Sequence, residues 1–236
     1  MMYSNNVSVM RNIVEQVKWK LDIYRGMLIS FIVVQLFISI IGSQTGMSSR
    51  GFNNLVIEQY FYSLDGVLAL SIVTAFSTCL AMPSKRLQME NLSIPTTRLT
   101  ANISTILFIC VMMFIATLTA IASYASTQFV QVLVYDLDVI SATLLPSGTT
   151  FFMLYLTLLF AAAIGYFIGT LWSMSRVLTV SILVVVGLAI FLMGIPVNAW
   201  FFSSSINLYM LKALLISMML YAATLFINNR QEVRRG

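Results

Sequence analysis

Uncharged apolar positions gather into runs separated by short polar segments, and the lengths of those runs predict the elements. A helix needs about 20 residues to cross roughly 30 Å of hydrocarbon. Six runs approach or exceed that length, at approximately 26–43, 60–82, 101–125, 148–172, 177–195 and 206–227. The first is strictly apolar only from Met27 to Ile41, which leaves Gly26, Gly42 and Ser43 for the interface. Only Asp65 and Lys212 bring charge into the runs, Asp65 a turn or so inside the second and Lys212 near the start of the sixth. The pattern predicts an all-α membrane protein with six transmembrane helices, forming a single domain over residues 1–236.

Three segments outside the runs carry their own patterns. In residues 8–25, Met10, Ile13, Val14, Val17, Leu21 and Tyr24 recur at helical spacing, while Arg11, Glu15, Lys18, Asp22 and Arg25 fall elsewhere on the cylinder. This predicts an N-terminal amphipathic helix lying in the interface, its bases near anionic headgroups. Trp19 projects from the polar side, and both a plain membrane anchor and a partner-docking helix remain open.

Residues 83–100 (PSKRLQMENLSIPTTRLT) form the longest polar insertion, with Pro83 and Pro95 bounding a short helix from Ser84 to about Ser93. Lys85, Arg86 and Glu90 would face water, and Leu87, Leu92 and Ile94 would offer apolar contacts. A bare turn needs only a few residues, so a docking element is the alternative to a solvated loop. Residues 128–145 could pass for a seventh span, but Asp136 and Asp138 would then cost a few kcal/mol each at mid-membrane. An outer-face amphipathic or re-entrant segment is expected there instead.

Composition narrows the classes. With 59% hydrophobic and 9% charged residues and a mean hydropathy of +0.93, the chain is neither a soluble domain nor a disordered one. It has no histidine, which excludes a Ser-His-Asp triad, histidine-ligated zinc and a histidine proton relay. The apolar runs also hold no clustered carboxylates, so no catalytic site is expected on this chain. Cys79 and Cys110 sit inside apolar runs, where a thiol is usually a small buried hydrophobe, and neither a disulfide nor a metal site is expected.

The net charge of +5 fits either nucleic acid or the inner face of a membrane. Position decides between them. With a cytoplasmic N-terminus, Arg11, Lys18, Lys20, Arg25, Lys85, Arg86, Arg98, Arg176, Arg230, Arg234 and Arg235 fall inside, leaving Arg50 and Lys212 towards the outside. That bias predicts a multi-pass protein of the cell membrane with both termini cytoplasmic, and it removes the support for nucleic-acid binding. The polar stretch before the first run argues against a cleavable signal. The absence of a clear internal repeat disfavours a secondary transporter.

The amphipathic entry helix, six spans, a polar helix after the second span and the stretch NLSIPTTRLTAN together resemble the permease subunit of type-2 ABC transporters, in particular small Gram-positive members with a Tyr-rich entry like Tyr60–Asp65. In that family a short cytoplasmic coupling helix, often followed by a Leu-Pro-x-x-Arg-like sequence, docks into an ATPase subunit. Ile94, Pro95 and Arg98 match that sequence, with isoleucine where leucine is common. The resemblance therefore implies an ATPase-docking loop that includes Lys85, Arg86, Leu87, Glu90, Ile94, Pro95 and Arg98.

It also implies two copies of a separate ATPase and a second permease, identical or related. The chain has no GxxxxGK[ST] phosphate loop, so ATP and Mg would be held by the partner and no cofactor by this chain. Nucleotide-driven closure of the ATPases would switch the spans between two arrangements. Pro196, Trp200 and Phe201, before the sixth run, suit an outer re-entrant gate or an aromatic belt. Asp65 and Lys212 could join such a gate, pair with each other, or serve a structural role.

The Ala161, Gly165, Gly169 stripe allows close helix approach, either within the chain or at a subunit interface. Few mid-membrane charges favour an amphipathic or hydrophobic cargo, such as a peptide, an antibiotic or a lipid-linked molecule. The alternative is an ATP-independent secondary transporter or channel.

Overall fold

The computed structural model describes residues 9–41, 46–52, 55–61, 65–83, 98–135, 147–192 and 205–233. In chain order these form α1 (Val9–Ile23), α2 (Arg25–Ile41), β1 (Gly46–Phe52), β2 (Leu55–Phe61), α3 (Asp65–Ala81), α4 (Arg98–Tyr135), α5 (Gly148–Met174), α6 (Arg176–Leu192) and α7 (Ile206–Val233). Among the described residues, three stretches are long and apolar enough to cross a membrane: Thr100–Ser126, Gly148–Met174 and Ile206–Asn228. They give the chain membrane-protein character. Arg25–Phe37 and Gly66–Ala81 are shorter apolar helices.

Local chemistry explains the boundaries. The chain bends at Tyr24, whose N–H donates to the Lys20 carbonyl and whose own carbonyl accepts from Met27 and Leu28. Ser147 caps α5 by accepting the Thr150 N–H at 3.4 Å, which occupies one of the free donors of a first helical turn. Ser175 is extended (φ −157°, ψ 121°) and ends α5, with its N–H still donating to Leu171. One residue thus separates α5 from α6.

Three expectations change. The predicted second span loses its first residues, because Tyr60 and Phe61 pair with Met47 and Gly46 across an antiparallel β1–β2 hairpin. The run LVIEQYF, with its β-branched and aromatic residues, suits a strand better than a helix start. This hairpin is the one departure from helix among the described elements. Asp65 therefore opens α3 rather than lying a turn inside it, and an acidic residue is favourable at a helix N-terminus. Finally, α4 continues without a break to Tyr135, so residues 128–135 extend the third span instead of starting a separate outer element. No Gly or Pro interrupts α4, which leaves nothing to stop the helix before that point. Residues 136–145 lie outside the described residues.

Paired contacts give the helix directions. Cys110 and Phe114 of α4 meet Tyr155 and Phe151 of α5, so these helices are antiparallel. Thr157 meets Tyr209 and Tyr166 meets Tyr221, so α5 and α7 run the same way. The backbone contacts of Gly165 with Phe76 and of Gly169 with Leu80 set α3 parallel to α5. Tyr24 against Phe108 and Gln35 against Ala116 set α2 parallel to α4. The start of α2, the end of α3, the starts of α4 and α6, and the ends of α5 and α7 therefore share one end of the bundle. That end carries Arg25, Arg98, Arg176 and Arg230, and it is called the basic end below.

The core lies where α4, α5 and α3 meet, around Phe108, Ile109, Met112, Met113, Leu158, Ala162, Ala75 and Cys79. The stripe on α5 belongs to this internal packing. A Cβ at Gly165 would strike the Phe76 carbonyl oxygen, and one at Gly169 would strike that of Leu80. Glycine lets the two backbones touch, which supplies close packing where water provides no hydrophobic drive.

Candidate docking face at the basic end

The polar insertion is flanked on both sides by described chain. Pro83, after α3, and Thr100, in the first turn of α4, are both buried, and Arg98 is the first residue of α4. Lys85, Arg86, Leu87, Glu90, Ile94 and Pro95 lie outside the described residues, as do Pro196, Trp200 and Phe201 of the expected outer gate. Asp65 and Lys212 both belong to the end of the bundle opposite Arg98, where Lys212 is half-buried on α7.

The amphipathic helix contributes a contact that periodicity did not reveal. α1 buries Ile13, Gln16, Val17 and Lys20, and Tyr24 is buried just after it, whereas Met10 and Val14 of the expected apolar face stay exposed. The buried stripe is thus rotated towards Gln16 and Lys20. It packs on α4 because Lys20 finds a set of acceptors there. Its Nζ donates to the Ala101 carbonyl at 3.0 Å, to Ser104 Oγ at 2.8 Å and to Thr105 Oγ1 at 2.6 Å. These three bonds use all the donors of an ammonium.

Only 3% of Lys20 is exposed, and desolvation lowers its pKa from 10.5 to about 8, since burial penalises the charged form. The spacing of Ile13, Gln16, Lys20 and Tyr24 on one helix face was the available signal. A lysine on that face reads as solvated until its acceptors, more than eighty residues away, are known.

A second polar contact sits deeper. Gln35, on α2, donates to Ser71 Oγ of α3 at 2.9 Å and to the Ala116 carbonyl of α4 at 3.0 Å, and accepts from Thr119 Oγ1 at 2.5 Å. One amide therefore joins three helices, and its only sequence signal was a lone Gln within an apolar run. Among the described residues, Gln16 Oε1 and Tyr221 Oη are buried with no hydrogen-bond partner.

The chain on each side of residues 84–97 enters the packed bundle directly, at Pro83 and at Thr100, and α1 is fastened to the first turns of α4 by Lys20. Among the described residues no cluster of His, Cys, Asp or Glu could hold a metal ion. Compared with known proteins, the chain matches no family model, no curated protein and no solved structure.

Proposed function

We propose that the chain is the membrane-spanning permease subunit of an ATP-driven exporter, paired with itself or a related permease and energised by two copies of a separate ATPase. One relationship carries this reading: the amphipathic helix and the chain leaving the polar insertion are joined through Lys20 at the basic end. A displacement of residues 84–97 would reach α3 through Pro83, α4 through Arg98, and α1 through the Lys20 bonds.

Helix direction supports a six-span arrangement, with α2, α3 and α6 crossing beside the three longer helices. Because α5 and α7 run the same way, the chain between them must cross back once, and α6 is the apolar helix available to do so. Basic residues at one end support a topology with both termini cytoplasmic. The cargo is amphipathic or hydrophobic: a peptide, an antibiotic or a lipid-linked molecule.

The experiment is a mild-detergent pull-down of the tagged chain from its native membrane, with partners identified by mass spectrometry. A stoichiometric soluble protein carrying a GxxxxGK[ST] loop is expected, and its association is expected to be lost in Glu90→Lys and Arg98→Glu variants that still insert in the membrane. Recovery of the chain alone, under conditions that preserve known complexes, would overturn the reading and favour an ATP-independent transporter.

A further inference from the structure

At the basic end, a cavity of about 420 Å³ opens between the end of α3 and the single-residue junction of α5 and α6. Its apolar wall includes Leu80 and Pro83, and its polar rim includes Trp172, Ser173, Ser175 and Arg176. Arg176 is the one charged residue among the described residues of the lining. Its side chain is exposed, and no ion pair to it is found among the described residues.

These features define an occupant with two parts. The guanidinium, a planar fork of donors, matches the paired oxygens of a phosphate, and among the described residues of the lining no carboxylate competes for it. The Leu80 and Pro83 wall matches hydrocarbon or glycerol rather than water. Trp172 is half-exposed at the end of an apolar helix, where indoles settle at headgroup depth. A small soluble anion would leave the apolar wall unused, and a neutral apolar molecule would leave Arg176 unmatched. Basic pockets between helices on the inner side of a membrane hold anionic headgroups.

We propose that this cavity binds the phosphate-bearing headgroup of an anionic phospholipid, with Arg176 supplying the charge and Trp172 the interfacial contact. The leaflet assignment rests on the topology proposed above and makes this an inner-leaflet site. A lipid held there bridges α3, α5 and α6 beside the entrance to the polar insertion.

The test uses the full chain with Trp19→Phe and Trp200→Phe, which leaves Trp172 as the sole indole. The protein is placed in phosphatidylcholine nanodiscs containing a minor fraction of either brominated phosphatidylglycerol or brominated phosphatidylcholine. Selective quenching of Trp172 by the anionic lipid is expected, corresponding to roughly fivefold local enrichment, the effect of one basic residue at an anionic surface. Arg176→Gln should bring the two lipids to parity, and Arg176→Lys should retain most of the preference.

Equal quenching by both lipids with Arg176 present would overturn the proposal. Equal quenching by both lipids together with an Arg176-dependent response of Trp172 fluorescence to inorganic phosphate would reassign the cavity to a free anion and so overturn it as well. The two leaflets of a nanodisc are identical, so this result does not depend on which end is cytoplasmic. Impermeant labelling of a Ser173→Cys variant in sealed vesicles tests that separately, and labelling from the outside would overturn the inner-leaflet assignment alone.

Discussion

Lys20 Nζ lies 2.8 Å from Ser104 Oγ and fastens the amphipathic helix to the first turns of α4. The same ammonium also meets Thr105 and the Ala101 carbonyl. A helix that surface chemistry would lay loosely on a membrane is thereby tied to the bundle, next to the segment proposed to bind the ATPase.

The tie has a pH signature. Because burial lowers Lys20 from 10.5 to about 8, between those values the unfolded chain keeps a proton that the folded chain has released. Stability therefore rises with pH across that window, and below it the full cost of burying the charge is present. Relative to Lys20→Met, wild type should gain on the order of 3 kcal/mol between the lower and upper limits. Unfolding in detergent at several pH values measures this, and parallel pH profiles for the two proteins would show that Lys20 is solvated.

Backbone contact on α5 sets a second expectation. Gly165→Ala and Gly169→Ala each place a methyl against a carbonyl oxygen of α3, which should cost about 1–3 kcal/mol or more through overpacking. At Gly187 an added Cβ meets nothing within 4 Å, so Gly187→Ala should be neutral or stabilising by up to about 1 kcal/mol. Thermal unfolding of the three variants decides, and equal shifts at all three sites would contradict the packing.

Gln35 should behave as a shared joint. Gln35→Leu removes contacts with α2's two neighbours, Ser71 on α3 and Ala116 and Thr119 on α4, and should cost about 1–3 kcal/mol. Thr119→Val should cost less. The double variant should lose less than the two single losses together, because both remove the same bond. Strict additivity in a double-mutant cycle would show that the bond carries no weight.

Tyr221 offers the opposite sign. Its buried hydroxyl has no hydrogen-bond partner among the described residues, so folding pays to desolvate it without return. Tyr221→Phe should leave stability unchanged or raise it by about 1 kcal/mol. A clear loss of thermal stability would reveal a partner for the hydroxyl.

Where the chain prefers hydrocarbon to water was legible from its residues alone. Run length, composition and charge bias are local properties, so they marked the apolar helices, the amphipathic character of residues 8–25 and the polar insertion after the second run. They also misplaced details that depend on neighbours. Tyr60 and Phe61 are as apolar as a helix start, yet pair with Gly46 and Met47 in the hairpin.

Only the tertiary structure decided that Lys20 faces inward, that Gly165 and Gly169 touch α3, that Gln35 joins three helices, and that a cavity opens beside Arg176. The physical reason is range. Hydropathy is read one residue at a time, whereas the Lys20 and Gln35 contacts on α4 join residues 81 to 85 positions apart. Whether such polar groups are solvated or satisfied within the bundle depends on which helices lie side by side.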